Sequence, residues 1–141
     1  MDIIDTGKVL AKIQAFDNRN VDDPTQIAWQ EILEPYMLQD ALDAVTHYFK
    51  ANTGWIMPAH VVERVRDTEQ ARVRMFKNGC HLNRADEERT LEASGFDSWS
   101  DAMKALNRAA ATGQITPDAY EAYQESEQTL ASVLGSQKAI K

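Results

Sequence analysis

The sequence of 141 residues contains a single cysteine, Cys80. No disulfide can form within the chain, and the paired cysteine spacings of zinc ribbons and zinc fingers are absent. No apolar run approaches the length of a membrane span, and the acidic segment 1–5 lacks the basic region and the apolar core of a signal peptide. These absences predict a soluble protein of the reducing cytoplasm that has no membrane partner.

An excess of positive charge is also missing, because the formal net charge is −7. A surface that follows nucleic acid along its whole length is usually basic, so any contact with DNA is expected to be local. Residues 1–57 contain 4 basic and 9 acidic residues, residues 64–84 contain 6 and 2, and residues 85–141 contain 5 and 10. The middle segment is therefore a basic island between two acidic flanks.

The basic island supplies the candidate nucleic-acid-binding residues, which are Arg64, Arg66, Arg72, Arg74 and Lys77. At about 100° per residue, the four arginines spread around the polar arc of a helix instead of forming one stripe. Two interpretations stay open at this point. The island is either a solvated, partly ion-paired helix face or a weak contact site for single-stranded DNA or an acidic partner surface.

Apolar residues recur at spacings of three and four, and no alternating strand pattern of useful length appears, which predicts an all-α protein. The first helix is predicted around the apolar residues of segment 9–16, with Asp5 or Thr6 as its cap and residues 18–20 as its end. The next two are predicted at residues 24–34 and 38–49. A fourth helix begins at Pro58. It either continues toward Lys77 or breaks near residues 67–68, because Glu69 interrupts its apolar face.

After Gly79 the composition shifts toward alanine, glutamate and serine. Helix starts are predicted at Asn83, at Ser98 and at Thr116, with the last helix running from Pro117 to Leu134. The expected architecture is a small N-terminal bundle of about four helices over residues 1–77, followed by a C-terminal extension of two or three helices over residues 78–141. Few large aliphatic residues lie in residues 85–141, so an independent core there is expected to be marginal.

The residues that carry chemistry do not form a reactive pattern. The segment Thr6-Gly7-Lys8-Val9 resembles the end of a phosphate-binding loop, but the upstream glycine and the hydroxyl residue after the lysine are missing. The three histidines fall on different segments, and Cys80 with His81 would supply at most two of the four ligands that a structural zinc site needs. We therefore expect no enzymatic activity, no cofactor and no metal.

Aromatic side chains at helical spacings are more often core residues than binding platforms. We interpret Trp29, Tyr48, Phe49 and Trp55 as core residues on this basis.

The apolar and aromatic residues of the first half form a more specific pattern. It consists of Val9 to Phe16, Trp29 with Ile32-Leu33, Ala41-Leu42, His47-Tyr48-Phe49, and Ile56-Met57-Pro58-Ala59 leading into Val61-Val62. This arrangement resembles the N-terminal domain of phage replicative-helicase loader/inhibitor proteins. The resemblance implies a non-enzymatic phage DNA-replication adaptor in the host cytoplasm. Such a protein binds a hexameric replicative helicase, restrains it, and loads it at the origin or on single-stranded DNA.

In that family the C-terminal region engages the helicase, which assigns partner binding to residues 78–141. The candidate helicase-binding residues are Tyr120, Tyr123, Leu130, Val133 and Leu134. Their apolar stripe has to be buried against something, and either an intramolecular hairpin or a partner groove would serve. An origin-binding protein or single-stranded DNA is the further partner that the resemblance implies.

Two other functions fit the same residues. A small helical DNA-binding regulator would use the basic segment 64–84. An inhibitor of a host factor would use the same apolar stripes as the adaptor.

Overall fold

The computed structural model describes residues 1–89 and 95–138. All regular structure in these ranges is α-helical, which confirms the predicted all-α class. The described ranges contain eight helices, where six or seven were predicted. They are α1 Ile3–Asp17, α2 Asp23–Leu33, α3 Leu38–Ala51, α4 Pro58–Arg74, α5 Arg84–Glu88, α6 Trp99–Thr112, α7 Pro117–Glu125 and α8 Leu130–Lys138.

Contacts divide the chain into an N-terminal unit, Met1–Thr68, and a C-terminal unit, Glu69–Lys141. The division precedes the boundary predicted after Lys77, because the last turns of α4 belong to the second unit. There Phe76 lies in the core and the Glu69 carboxylate pairs with Arg108 at 3.0 Å. Helix α4 is continuous through residues 67–68, so the alternative of a break at that point is wrong.

Side-chain caps set the starts of the first two helices. The Asp2 carboxylate accepts a hydrogen bond from the Asp5 amide, so α1 begins at Ile3, earlier than the predicted caps Asp5 or Thr6 allowed. Asp22 caps α2 in the same way through the Thr25 amide. The predicted end of α1 is confirmed, since Asn18 takes a left-handed conformation with a φ of 55°.

The N-terminal unit has a core in which α1 packs against both α2 and α3. Residues at helical spacing turn one face of each helix inward, as the periodicity predicted. The buried apolar residues are Val9, Leu10, Ile13, Trp29, Leu33, Ala41, Ala44, Val45, Ile56, Val61 and Val65.

In the C-terminal unit the predicted helix starts are confirmed: Asn83, Ser98 and Thr116 each cap a helix through a side-chain oxygen. Helix α6 ends at Gly113, which has a φ of 77°. The single helix predicted over residues 117–134 is wrong. The chain turns extended at Ser126, and α8 starts afresh at Leu130.

The C-terminal unit also has its own core, to which residues outside 85–141 contribute, so the expected marginal core of residues 85–141 alone stays a prediction. Phe76 belongs to the predicted first domain of residues 1–77, whereas Cys80 belongs to the predicted extension, and both lie in this core. The buried members are Phe76, Cys80, Leu106, Ala109, Ala110, Ile115, Tyr123, Leu130 and Leu134.

The side-chain amide of Asn83 explains why α7 and α8 are two helices and not one. The fully buried Asn83 side chain donates through Nδ2 to the carbonyl oxygens of Tyr123, Ser126 and Gln128, at 3.0, 3.1 and 3.0 Å. Its Oδ1 accepts from the Asp86 amide at 2.8 Å and caps α5. One side chain thus satisfies carbonyl groups that a continuous helix would have used internally.

We predict that Asn83→Ala lowers the free energy of unfolding of the C-terminal unit by about 2 to 4 kcal/mol, because several buried polar groups lose their partner together. Hydrogen exchange of the amides in α7 and α8 measures the effect. Asn107→Ala on the exposed side of α6 is the matched control and should change stability by less than about 0.5 kcal/mol. Equal stability of the two variants would contradict the assigned role of Asn83.

Candidate interaction surfaces

The predicted helicase-binding residues form the interior of the C-terminal unit. Tyr123, Leu130 and Leu134 are buried, and Tyr120 and Val133 are partly buried against the same core. The stripe could have been buried in an intramolecular hairpin or in a partner groove, and its packing within the unit confirms the intramolecular alternative. In the folded unit the three buried side chains are not accessible to a partner, and helicase binding through these five residues stays a prediction.

Tyr123 is held by hydrogen bonds as well as by packing. Its hydroxyl donates to the buried Asp86 carboxylate and accepts from the backbone amide of Asn83 at 3.0 Å. Asp86 also accepts from the Leu130 amide at 3.0 Å and so caps the start of α8. Burial, and next the hydrogen bond to Asp86, raise the pKa of Tyr123 above its ordinary value of 10.0.

The five predicted nucleic-acid-binding residues do not belong to one unit. Arg64 and Arg66 are exposed in the N-terminal unit, and the other three residues lie in the C-terminal unit. There Arg72 donates to the Ala111 carbonyl at 3.1 Å, a favourable position for a cation at the end of α6.

Lys77 lines a groove that also contains the carboxylates of Asp118 and Glu121. These acidic neighbours are unfavourable for a phosphate. The solvated, partly paired interpretation of the basic island therefore fits Arg72 and Lys77 best.

The described residues contain no group of three or more His, Cys, Asp or Glu side chains arranged to hold a metal ion. Cys80 is buried, and burial raises the pKa of its thiol. Among the described helices, none combines the length and the apolar character that a bilayer crossing requires.

The aromatic residues of the N-terminal unit divide between core and surface. Trp29 is buried, as predicted, whereas Tyr48 and Phe49 are only partly buried. The interpretation of Trp55 as a core residue is wrong, because 58% of it is exposed. Phe16 is 54% exposed although the helical spacing of α1 placed it beside Ile13.

Four rings from three helices form a continuous row on this unit, and we call it the ring row. Phe16 stacks on Phe49 with centroids 4.8 Å apart and an angle of 23°. Phe49 meets Tyr48 edge to face at 5.4 Å, and Tyr48 lies 4.9 Å from His60. The Met57 amide donates to His60 Nδ1 at 2.8 Å, which fixes the imidazole at the end of the row.

The Trp55 indole lies against an ion-paired arginine. The Arg19 guanidinium carbon lies 3.8 Å from the centroid of the Trp55 ring, within cation–π range. Arg19 in turn donates to the Asp17 carboxylate through Nε at 2.9 Å and Nη2 at 2.6 Å. Desolvation raises the pKa of Asp17, but the hydrogen bonds and the charge of Arg19 outweigh it, so that the pKa is lowered.

Helix α2 presents a second unpartnered surface, which we call the α2 outer face. The helix buries Trp29 and Leu33, while Ile27 is 53% exposed and Ile32 is 47% exposed. At about 100° per residue, these two isoleucines lie at the edges of one arc of roughly 140°. Pro24, Ala28 and Glu31 are exposed between them.

The surroundings of the α2 outer face are acidic. Asp22, Asp23, Glu31 and Glu34 lie on or beside the helix, and residues 20–49 contain no lysine or arginine. The Thr25 hydrogen bonds at the helix start lower the pKa of Asp22, which keeps that carboxylate charged at neutral pH. The face therefore combines apolar side chains with four acidic neighbours, and the N-terminal ammonium of Met1 donates to the Glu34 carbonyl at the end of the helix.

No protein-family model, no curated protein and no solved structure matches this chain.

The bonding of Tyr123 predicts a pH dependence of stability. The folded unit keeps the Tyr123 proton above pH 10, where the unfolded chain loses it, so the free energy of unfolding falls as the pH rises above about 10. Tyr123→Phe should remove this part of the decline. At pH 7 this substitution should lower the free energy of unfolding by about 1 to 3 kcal/mol, because the Asp86 carboxylate and the Asn83 backbone amide each lose a partner.

Urea denaturation of both proteins from pH 7 to pH 11, with hydrogen exchange in α7 and α8 as the local readout, measures this difference. Tyr36→Phe in the N-terminal unit is the control and should keep the wild-type profile in α7 and α8. If the free energy of unfolding fell with pH equally for wild type and Tyr123→Phe, ionisation of Tyr123 would not contribute to the pH dependence.

Proposed function

We propose that this chain is a non-enzymatic adaptor of phage DNA replication. In this proposal its partner is a hexameric replicative helicase, which it restrains and delivers to the origin or to single-stranded DNA. The proposal combines the sequence resemblance with the surfaces of the N-terminal unit.

The observation that carries the proposal is the α2 outer face. Isolated exposed apolar residues are ordinary on a monomer, but Ile27, Ala28 and Ile32 lie on one helix around Glu31. An amphipathic helix with apolar side chains on its outer side is suited to a groove on another protein. Binding would bury two isoleucines that the small core of this unit leaves in solvent.

Charge indicates what kind of partner fits this face. The rim of Asp22, Asp23, Glu31 and Glu34 is complementary to an apolar groove surrounded by lysine and arginine. Surfaces of a helicase that contact DNA are positively charged, since they have to bind phosphates. An acidic helix seated on such a surface would compete with DNA, which is the physical basis of restraint in this proposal.

The residues that resemble the helicase loader/inhibitor proteins lie between Val9 and Val62, and all of them fall within the N-terminal unit. The proposed contact nevertheless differs from the one implied by the resemblance. It moves from the stripe around Tyr123 and Leu130, which is buried, to the α2 outer face.

We predict that Ile27→Ala combined with Ile32→Ala weakens helicase binding at least about tenfold, because both anchors of the face are truncated. The full-length chain is immobilised and exposed to a lysate of host cells, and recovered hexameric helicase is identified and quantified. Purified helicase then gives the affinity ratio by titration. Glu31→Lys should weaken binding in the same direction through its charge.

Met75→Ala is the matched control, since Met75 is 62% exposed but lies in the C-terminal unit. Circular dichroism should show unchanged helix content in all of these variants. Recovery of no helicase by the wild-type chain, or equal recovery by wild type and the double variant, counts against the proposal.

A further inference from the structure

We infer that Asn78 is a site of spontaneous covalent modification, at which the Gly79 amide nitrogen displaces the side-chain amide of Asn78 and His81 assists the attack. The co-reactant is water, and the products are aspartate or isoaspartate and ammonia. The inference concerns the turn after α4 in the C-terminal unit, so it does not rest on the proposed function.

The pair Asn78-Gly79 is chemically the most favourable one that the chain offers for this reaction. Asparagine is thermolabile because the next main-chain nitrogen can reach its side-chain carbonyl carbon. A following glycine has no Cβ atom to hinder this approach. The chain contains six asparagines, and only Asn78 precedes a glycine. The others precede arginine, valine or threonine, and they are Asn18, Asn20, Asn52, Asn83 and Asn107.

The structure leaves the Asn78 side chain available for reaction. Asn78 and Gly79 are both exposed, in a turn outside the helices. Among the described residues, none hydrogen-bonds to the Asn78 side-chain amide. By contrast, the Asn83 amide is buried and bonded to main-chain carbonyls, and Asn52 Nδ2 donates to the Tyr48 carbonyl at 3.1 Å.

His81 lies against the peptide bond that reacts. Its Nε2 atom is 2.8 Å from the main-chain oxygen of Asn78. Because a carbonyl oxygen can only accept, Nε2 carries the proton and donates it. A Cβ atom added at Gly79 would lie 3.8 Å from the same nitrogen, so the imidazole is next to both residues of this peptide bond.

This hydrogen bond acts on the nucleophile. The attacking species is the deprotonated Gly79 amide, whose negative charge is shared between its nitrogen and the Asn78 main-chain oxygen. A donor at that oxygen stabilises the anion and raises its fraction, as donors aimed at developing negative charge do in enzymes. The opposing contact is the hydrogen bond from the Gly79 amide to the Phe76 carbonyl. Its length of 3.2 Å is at the long end of the usual range, so a local opening of the turn frees the nitrogen.

The covalent steps balance without an oxidant or a reductant. The Gly79 nitrogen gives its proton to water or hydroxide and forms a bond to Asn78 Cγ. The Cγ–Nδ2 bond then breaks, and Nδ2 leaves as ammonia with one proton taken from solvent. Water opens the resulting cyclic imide. Attack at Cγ yields aspartate, and attack at the main-chain carbonyl carbon yields isoaspartate, in which the main chain runs through Cβ and Cγ.

The product changes a groove that is already acidic. Asn78 and Gly79 line the groove that also contains Lys77, Asp118 and Glu121. Conversion of Asn78 adds a third carboxylate beside these two acids. Isoaspartate also lengthens the main chain in the turn. The reaction thus changes both the charge and the shape of this groove as the protein ages.

The test incubates the full-length protein at neutral pH and physiological temperature and follows all six asparagines by peptide mapping. Chromatography with mass spectrometry separates the aspartate and isoaspartate products from the parent peptide at each position. Asn78 should convert at least about tenfold faster than any other asparagine, because only its neighbour leaves the nitrogen unhindered. Equal or slower conversion of Asn78 overturns the inference.

His81→Ala separates the assistance of the imidazole from the effect of the local sequence. The main-chain groups of His81 bond to the side chains of Tyr120 and Gln124, so the substitution removes only the contact with Asn78. The conversion of Asn78 should slow about threefold, which corresponds to the net effect of one hydrogen bond. Met75→Ala, beside the same turn, is the matched control and should keep the wild-type rate.

Unfolding supplies a second control. In concentrated urea His81 is no longer held at Asn78, so wild type and His81→Ala should convert at equal rates. Circular dichroism before incubation checks that the variants are folded in buffer. Equal rates of the two proteins in the folded state overturn the inference. So does a difference of the same size that persists in urea, since that pattern assigns the effect to the sequence alone. No helicase takes part in this measurement, so its outcome does not bear on the adaptor proposal.

Discussion

A helical unit of about 70 residues has room for one narrow core, and this limit decides which apolar side chains stay outside it. In the N-terminal unit, α1, α2 and α3 each turn one stripe inward, and α2 contributes only Trp29 and Leu33 to the buried set. Its isoleucines Ile27 and Ile32 lie outside that core and are exposed. The exposed surfaces considered above are consequences of that small core.

In the C-terminal unit, buried polar side chains stabilise the small core together with the apolar ones. Asn83 and Asp86 are buried, and between them they hold the ends of α5, α7 and α8 through backbone amides and carbonyls. Tyr123 joins the two side chains through one hydroxyl. A fully satisfied buried network of this kind makes one arrangement of short helices much more stable than its alternatives. It also removes Leu130 and Leu134 from the set of surface anchors.

Acidic side chains gather around one exposed face of the N-terminal unit. Asp22, Asp23, Glu31 and Glu34 lie on or beside the α2 outer face, which also presents Ile27 and Ile32. In the proposed function this face takes a positively charged groove on another protein, so that apolar contact and charge act together.

The sequence by itself determined the helical class, most helix bounds and most of the buried stripes, because capping residues and three-to-four spacing act over a few neighbours along the chain. It identified Asn83, Ser98 and Thr116 as caps for this reason. It misjudged Phe16 and Trp55, whose periodicity or aromatic character suggested a core that the fold does not extend to them. Only the tertiary structure decided that the stripe with Tyr123 and Leu130 is internal, that α7 and α8 are separate, and that Arg19 lies under Trp55. Each of these depends on contacts between residues far apart in sequence, which local patterns do not encode.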